Sequence, residues 1–303
     1  MSALIKGLIS TPMTPFDKDN NLSLELIDEY TSWQSQNGVK GFYILGTWGG
    51  FAIQTIEERI KVAKAFQKAV LKYNMQLIIN ISSLSFSDTK KLAKEAEDMG
   101  VKAISSTLPI YYSTAGYLNL DSYKKYFSDL IKLTNLPIYL YNNPRTTNIL
   151  ISPSEFTELA SIGLKGVKDG SKDIAWLLKT QNKLKEKSLN SEIIPGNSVG
   201  LLYGFLYGCE AVTSGASVVF PKESAKILEL LDNGNYLEAV KQHRMVLKLR
   251  EVIGSSSCPP SAAHFLLRRY RHSLGYPRKN WPSISDSFGS KLLKKIQIIL
   301  DEN

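Results

Sequence analysis

The 303-residue chain carries only two cysteines, Cys209 and Cys258. Two cannot build a disulfide framework, and the scarcity fits a reducing, cytoplasmic setting. No run of about 18 apolar residues is present, so no membrane-spanning helix is expected. Met1 to Lys6 lack a long apolar stretch and a small-residue cleavage site, so no secretory signal is expected either. There is no P-loop, no G-x-S-x-G elbow and no dinucleotide fingerprint after the first apolar run. The three histidines, His243, His264 and His272, do not group with the cysteines at metal-ligand spacing. No metal is therefore expected.

What is present is 43% hydrophobic, enough for one large core, with a formal net charge of +9. A basic balance raises the possibility of a nucleic-acid partner. The densest basic stretch, Arg268, Arg269, Arg271 and His272, falls in a helical pattern with no glycine-rich or aromatic platform beside it. A lysine-rich solvated surface accounts for the charge, and no nucleic-acid partner is expected.

Short apolar runs alternate with longer amphipathic ones. Gly7 to Thr11 reads as a strand, followed by a helix with Leu22, Leu26, Tyr30 and Trp33 on one face, stopped at Asn37-Gly38. Further strands are expected at 42–45, 77–81, 103–107, 137–141, 164–168, 193–194 and 211–214. Asp88 reads as the cap of a helix ending at Met99-Gly100, and Ser152-Pro153 opens another. Eight such units imply a parallel sheet, either open and doubly wound or closed. Their near-even spacing favours a closed (β/α)8 barrel over residues 1–225. Residues 226–303 read as a helical C-terminal extension packed on the barrel as part of one structural unit. Gly254 to Pro260 reads as its loosest loop.

In such a barrel the chemistry sits at the C-terminal ends of the strands. Few of the lysines end a strand. Lys40 and Lys102 precede theirs, Lys165 begins the sixth, and Lys168 ends it before Asp169-Gly170-Ser171. A lysine desolvated in a barrel mouth can act as an amine nucleophile, although position alone also suits a surface lysine at a strand-to-loop junction. Other strand ends converge on the same rim. Gly46-Thr47-Trp48-Gly49-Gly50 offers backbone N–H groups to a carboxylate. Tyr111 and Tyr112 follow the fourth strand, and Tyr141-Asn142-Asn143-Pro144 ends the fifth.

Read in order, Pro12-x-Thr14-Pro15-Phe16, Gly46-Thr47-x-Gly49, Pro109-x-Tyr111-Tyr112, Tyr141-Asn142-x-Pro144, Gly166-Val167-Lys168-Asp169 and Gly196-Asn197 resemble the dihydrodipicolinate synthase/N-acetylneuraminate lyase superfamily. The resemblance implies catalytic roles for three residues. Lys168 is the Schiff-base lysine, Tyr141 the proton relay, and Tyr111 a supporting tyrosine that some members draw from a neighbouring subunit. It also implies substrate contacts from Gly46, Thr47, Trp48, Asn143, Gly196 and Val212, a homotetramer, 2-keto acid and aldehyde partners, and no metal or organic cofactor.

Two departures bear on substrate. Trp48 and Gly50 stand where the family's Gly-Thr/Ser-Thr-Gly-Glu loop has a hydroxyl residue and an acid. Thr146 stands where dihydrodipicolinate synthases carry an arginine, and Arg145, one residue early, is expected to point elsewhere. No arginine cluster is visible at the rim. These features make an unphosphorylated, neutral aldehyde the expected partner, as in the archaeal 2-keto-3-deoxygluconate aldolases. The alternatives are another lyase or synthase of the superfamily, and a non-catalytic keto-acid-binding regulator.

Overall fold

The apolar runs form eight short strands: β1 (Gly7–Ser10), β2 (Gly41–Ile44), β3 (Gln76–Asn80), β4 (Ala103–Ser106), β5 (Ile138–Asn142), β6 (Gly166–Asp169), β7 (Glu192–Pro195) and β8 (Ala211–Ser214). The computed structural model describes residues 3–109, 111, 116–270 and 272–302. All strand pairings are parallel, in the order β7-β6-β5-β4-β3-β2-β1-β8. At the seam the Thr213 hydroxyl donates to the Pro195 carbonyl at 3.4 Å. The sheet curls into a nearly closed (β/α)8 barrel with added C-terminal helices.

Side-chain alternation along each strand divides the core in two. Ile9, Tyr43, Ile78, Ala103, Tyr139, Tyr141, Ile194 and Ala211 fill the barrel interior. Leu8, Phe42, Ile44, Leu77, Ile79, Ile104, Leu140, Val167 and Val212 belong to the larger cluster shared with the surrounding helices. Near the N-terminal end, Glu192 accepts hydrogen bonds from the Leu4 backbone at 2.7 Å and the Tyr139 phenol at 2.6 Å, and pairs with Lys165 at 3.0 Å.

The helices are α1 (Leu26–Gln36), α2 (Ile56–Lys72), α3 (Phe86–Asp98), α4 (Leu120–Ile131), α5 (Pro144–Thr147), α6 (Pro153–Ser161), α7 (Ile174–Glu186), α8 (Gly200–Leu206), α9 (Pro221–Asp232), α10 (Tyr236–Gly254), α11 (Pro259–Arg269) and α12 (Asp286–Asp301). Reciprocal capping boxes start α2 at Thr55/Glu58 and α6 at Ser152/Glu155. Helix α9 runs through residue 225 and packs on β1, α8 and α10. No helix among the described residues is long and apolar enough to cross a membrane.

Several local expectations need correction. Helix α3 starts after Ser85, leaving Asp88 inside its first turn. Leu22 lies before α1, in an isolated bridge with Phe16. Gly254 closes α10 and Pro259 opens α11, so the loop is only 255–258. Proline fits the first helical position, where its missing N–H costs nothing.

His264 in α11 is 1% exposed. Burial and the nearby Arg268 depress its pKa to about 3. The native chain keeps this imidazole neutral while the unfolded chain takes up a proton. The native state therefore loses stability as pH falls from about 6.5, the ordinary histidine value, toward about 3. The loss from this group is expected to be roughly 4–5 kcal/mol across that window. His264→Gln should flatten this part of the stability curve. Urea melts near neutrality and near pH ~4 check it, and an unchanged slope would exclude the contribution.

Candidate active site

A cavity of about 680 Å³ opens where the C-terminal ends of the strands meet α10. Lys168 is the penultimate residue of β6, because the strand extends one residue further to Asp169. Strand parity turns its side chain inward, level with Tyr141 across the β5–β6 register. The lysine is 5% exposed, and its Nζ lies 4.1 Å from the centroid of the Tyr141 ring and 5.0 Å from that of Tyr43. Room for it depends on Gly196. A Cβ there would sit 2.6 Å from the Asp169 carbonyl oxygen and 2.9 Å from Lys168 Cε.

The Tyr141 hydroxyl is 3.0 Å from Thr47 Oγ1 and accepts from Asn143 Nδ2 at 3.1 Å. Asn143 Nδ2 also reaches Thr47 Oγ1 at 3.1 Å, which closes a triangle of polar groups. Burial pushes the Tyr141 phenol up, but the charge of Lys168 and the hydrogen bonds from Thr47 and Lys168 outweigh it. The phenol is held below the ordinary tyrosine range. Beside it, Asp169 accepts from Asn142 Nδ2 at 2.7 Å and Ser171 Oγ at 2.6 Å. Burial still raises this carboxyl above its usual range.

The glycine-rich turn after β2 is built under strain. Leu45 adopts φ 54°, uncommon for a residue with a side chain, and Asn80 Nδ2 holds its carbonyl at 2.7 Å. A Cβ at Gly49 would lie 2.8 Å from the Leu45 nitrogen, so only glycine fits that close approach. Thr14 Oγ1 and Gln54 Nε2 both donate to the Gly49 carbonyl, at 2.8 and 2.6 Å. The loop thus brings Gly46, Thr47 and Trp48 to the cavity wall.

Of the residues singled out in the sequence, Lys168, Tyr141, Gly46, Thr47, Trp48, Asn143 and Gly196 line this one cavity. Val212 does not. It is fully buried and turned outward, its Cγ1 2.8 Å from where a Cβ on Gly204 of α8 would stand. Its inward neighbours on β8 are Ala211 and Thr213, since alternate residues face opposite sides. Tyr111 is 71% exposed and is not part of the lining. Tyr112 lies outside the described residues.

The absence of a rim arginine cluster is overturned. Arg145 and Arg250 both line the cavity, together with Lys172, while Thr146 does not. Arg145 follows Pro144 at the start of the short helix α5, whose turn of about 100° per residue puts 145 rather than 146 toward the mouth. Arg250 projects from α10, with its guanidinium carbon 5.1 Å from the centroid of the Trp48 ring. Burial and the proximity of Arg145 depress its pKa, so the two guanidinium groups repel one another. Among the described residues, Glu251 is the only carboxylate side chain in the lining. Among the described residues, none of the four lining cations, Arg145, Lys168, Lys172 and Arg250, forms a carboxylate ion pair.

Sequence reasoning missed Tyr43, Arg145 and Arg250 as cavity groups. The alternation of β2 could have placed Tyr43 inside the barrel. Nothing local marks Arg250, which reaches the mouth from a helix outside the eight repeated units.

The model of the dihydrodipicolinate synthetase family matches residues 4–275. The 2-dehydro-3-deoxy-phosphogluconate/2-dehydro-3-deoxy-6-phosphogalactonate aldolase of Saccharolobus solfataricus is 26% identical over 297 residues, covering 96% of this chain and 94% of that one. The 4-hydroxy-tetrahydrodipicolinate synthase of Thermotoga petrophila is 26% identical over 258 residues, 84% of this chain and 86% of its own. Among solved structures, the sialic acid aldolase of Ruminococcus gnavus superposes with a TM-score of 0.88 at 23% identity, over 98% of both chains. The chain therefore belongs to the dihydrodipicolinate synthetase family, within a superfamily of pyruvate-dependent Schiff-base lyases.

Proposed function

We propose that this protein is a class I aldolase that reversibly cleaves a 2-keto-3-deoxy sugar acid of the 2-keto-3-deoxygluconate type into pyruvate and a glyceraldehyde. One observation carries the reading: the amine of Lys168 is buried in the mouth beside a phenol, Tyr141, that is itself hydrogen-bonded to Thr47 and Asn143.

In the cleavage direction the neutral Lys168 amine adds to the C2 carbonyl. Loss of water leaves a protonated imine. Tyr141 takes the proton of the C4 hydroxyl, the C3–C4 bond breaks into the imine, and the aldehyde departs. The resulting enamine is protonated at C3, and water releases pyruvate and the free amine. Thr47 and the backbone N–H groups around Trp48 hold the keto-acid carboxylate. The two tyrosine faces and the surrounding apolar interior limit water around the charged intermediate. Tyr111, exposed on its own protomer, is assigned its supporting role across a subunit interface of a homotetramer; sedimentation analysis tests that assembly.

The four cations alter the substrate expected from sequence. Two mutually repelling guanidinium groups, without carboxylate partners among the described residues, suit an anion carried by the far end of the substrate. A terminal phosphate answers that need, and the relative from Saccharolobus solfataricus is named for phosphorylated substrates. A carboxylate-bearing aldehyde, the dihydrodipicolinate synthase type of partner, is also less disfavoured than the loss of an arginine at 146 implied.

Pyruvate formation from a panel of 2-keto-3-deoxy sugar acids, with and without terminal phosphate, tests the assignment. Arg250→Met and Arg145→Met should each lower kcat/KM for the phosphorylated acid by roughly 10- to 100-fold, as expected for lost charge-assisted contacts. Turnover of the unphosphorylated acid should change by less than about threefold. Equal losses on both substrates would reject a phosphate contact.

A further inference from the structure

Beyond helping to limit water, Tyr43 has no chemical role assigned above, yet it shares the innermost part of the cavity with Lys168. It stands on β2 with its ring inside the barrel, 1% exposed. Its centroid lies 5.0 Å from Lys168 Nζ, and its ring meets that of Tyr141 edge-on at 5.3 Å. A Cβ at Gly46 would be 2.8 Å from Tyr43 Cε1, so the ring also abuts the start of the glycine-rich turn.

The hydroxyl of Tyr43 is engaged elsewhere, 2.6 Å from Ser105 Oγ. Burial holds the phenol well above its ordinary range, so it stays neutral. These facts remove Tyr43 from proton transfer and leave its π face. A protonated imine at Lys168 carries a positive charge in this buried space. The adjacent carboxylate, Asp169, has its two oxygens taken by Asn142 and Ser171. An aromatic face at this distance attracts a cation, and more strongly where water is excluded.

We propose that the ring face of Tyr43 stabilises the iminium formed on Lys168, acting as its electrostatic partner in place of a carboxylate. This rests on the Schiff-base reading. It concerns the ring rather than the hydroxyl, so Phe should substitute for Tyr43 and an aliphatic side chain should not.

The experiment installs Phe at position 43, then its mono-, di- and trifluorinated analogues, which keep the shape while draining the π face. The readout is the initial rate of pyruvate-dependent cyanoborohydride trapping at Lys168, followed by mass, alongside kcat. Tyr43→Phe should trap within about threefold of wild type, and the trifluoro ring on the order of tenfold more slowly than Phe. The intermediate rings should fall between them, and the melting temperature should not follow the series. Tyr43→Leu should trap as slowly as the trifluoro variant. A flat fluorine series, or a Leu variant as fast as Phe, overturns the role of Tyr43 while leaving the Schiff base intact. Failure of wild type to trap at all removes both.

Discussion

Replacing Lys168 with alanine should abolish borohydride trapping with pyruvate and lower turnover on the order of 10⁴- to 10⁶-fold, the scale of losing a covalent nucleophile. Mass analysis of the trapped wild type should find the pyruvate-derived increment on the peptide carrying Lys168 alone. Lys172 is the informative control, because it lines the same cavity and is exposed at the mouth. An increment on Lys172, or a trapped Lys168→Ala protein, would reject the assignment. The circular dichroism of the alanine variant should remain native. Among the described residues the lysine makes no ion pair, and the hydrogen bonds of Asp169 to Asn142 and Ser171 do not involve it.

Tyr141→Phe should separate the two halves of the chemistry. The variant keeps the ring beside Lys168 and loses only the hydroxyl that Thr47 and Asn143 orient. Imine formation should survive, so trapping should persist, while cleavage falls by about 10²- to 10⁴-fold, the usual contribution of a placed proton relay. The phenol is held below the ordinary tyrosine range, chiefly by the charge of Lys168 opposing burial. The wild-type pH profile should therefore show an alkaline limb below that range, because the relay must hold a proton at one step and give it up at another. The Phe variant should lack that limb. A variant that cleaves at wild-type rate would show that the proton travels by another route.

Much of the barrel was legible because each strand is a short apolar run closed by turn residues, and each helix has a caps-and-stripe pattern at another period. The strand ends led directly to Lys168, Thr47, Tyr141 and Asn143, all of which line one cavity. The errors share a physical origin. Val212 was expected at the site through the resemblance, but the side a residue faces depends on parity, and parity turns it to the outer core. Arg145 was set aside by counting from a proline, yet a helical turn begins there and changes which residue faces inward. Arg250 belongs to α10, and its approach to the mouth is a long-range packing result that no local pattern encodes.

That packing has an evolutionary consequence. The groups proposed to handle pyruvate come from β-strand ends and the loops after them, whereas Leu247, Arg250, Glu251 and Gly254 reach the same cavity from α10. The two sources can vary independently: one segment preserves the bond-making apparatus while the other redraws the wall against which the departing half rests. Exchanging α10 between relatives, together with the helices that seat it, is then a compact way to redirect which aldehyde is accepted without rebuilding the chemistry. The wall facing the aldehyde thus sits on a segment distant in sequence from the proposed reactive amine.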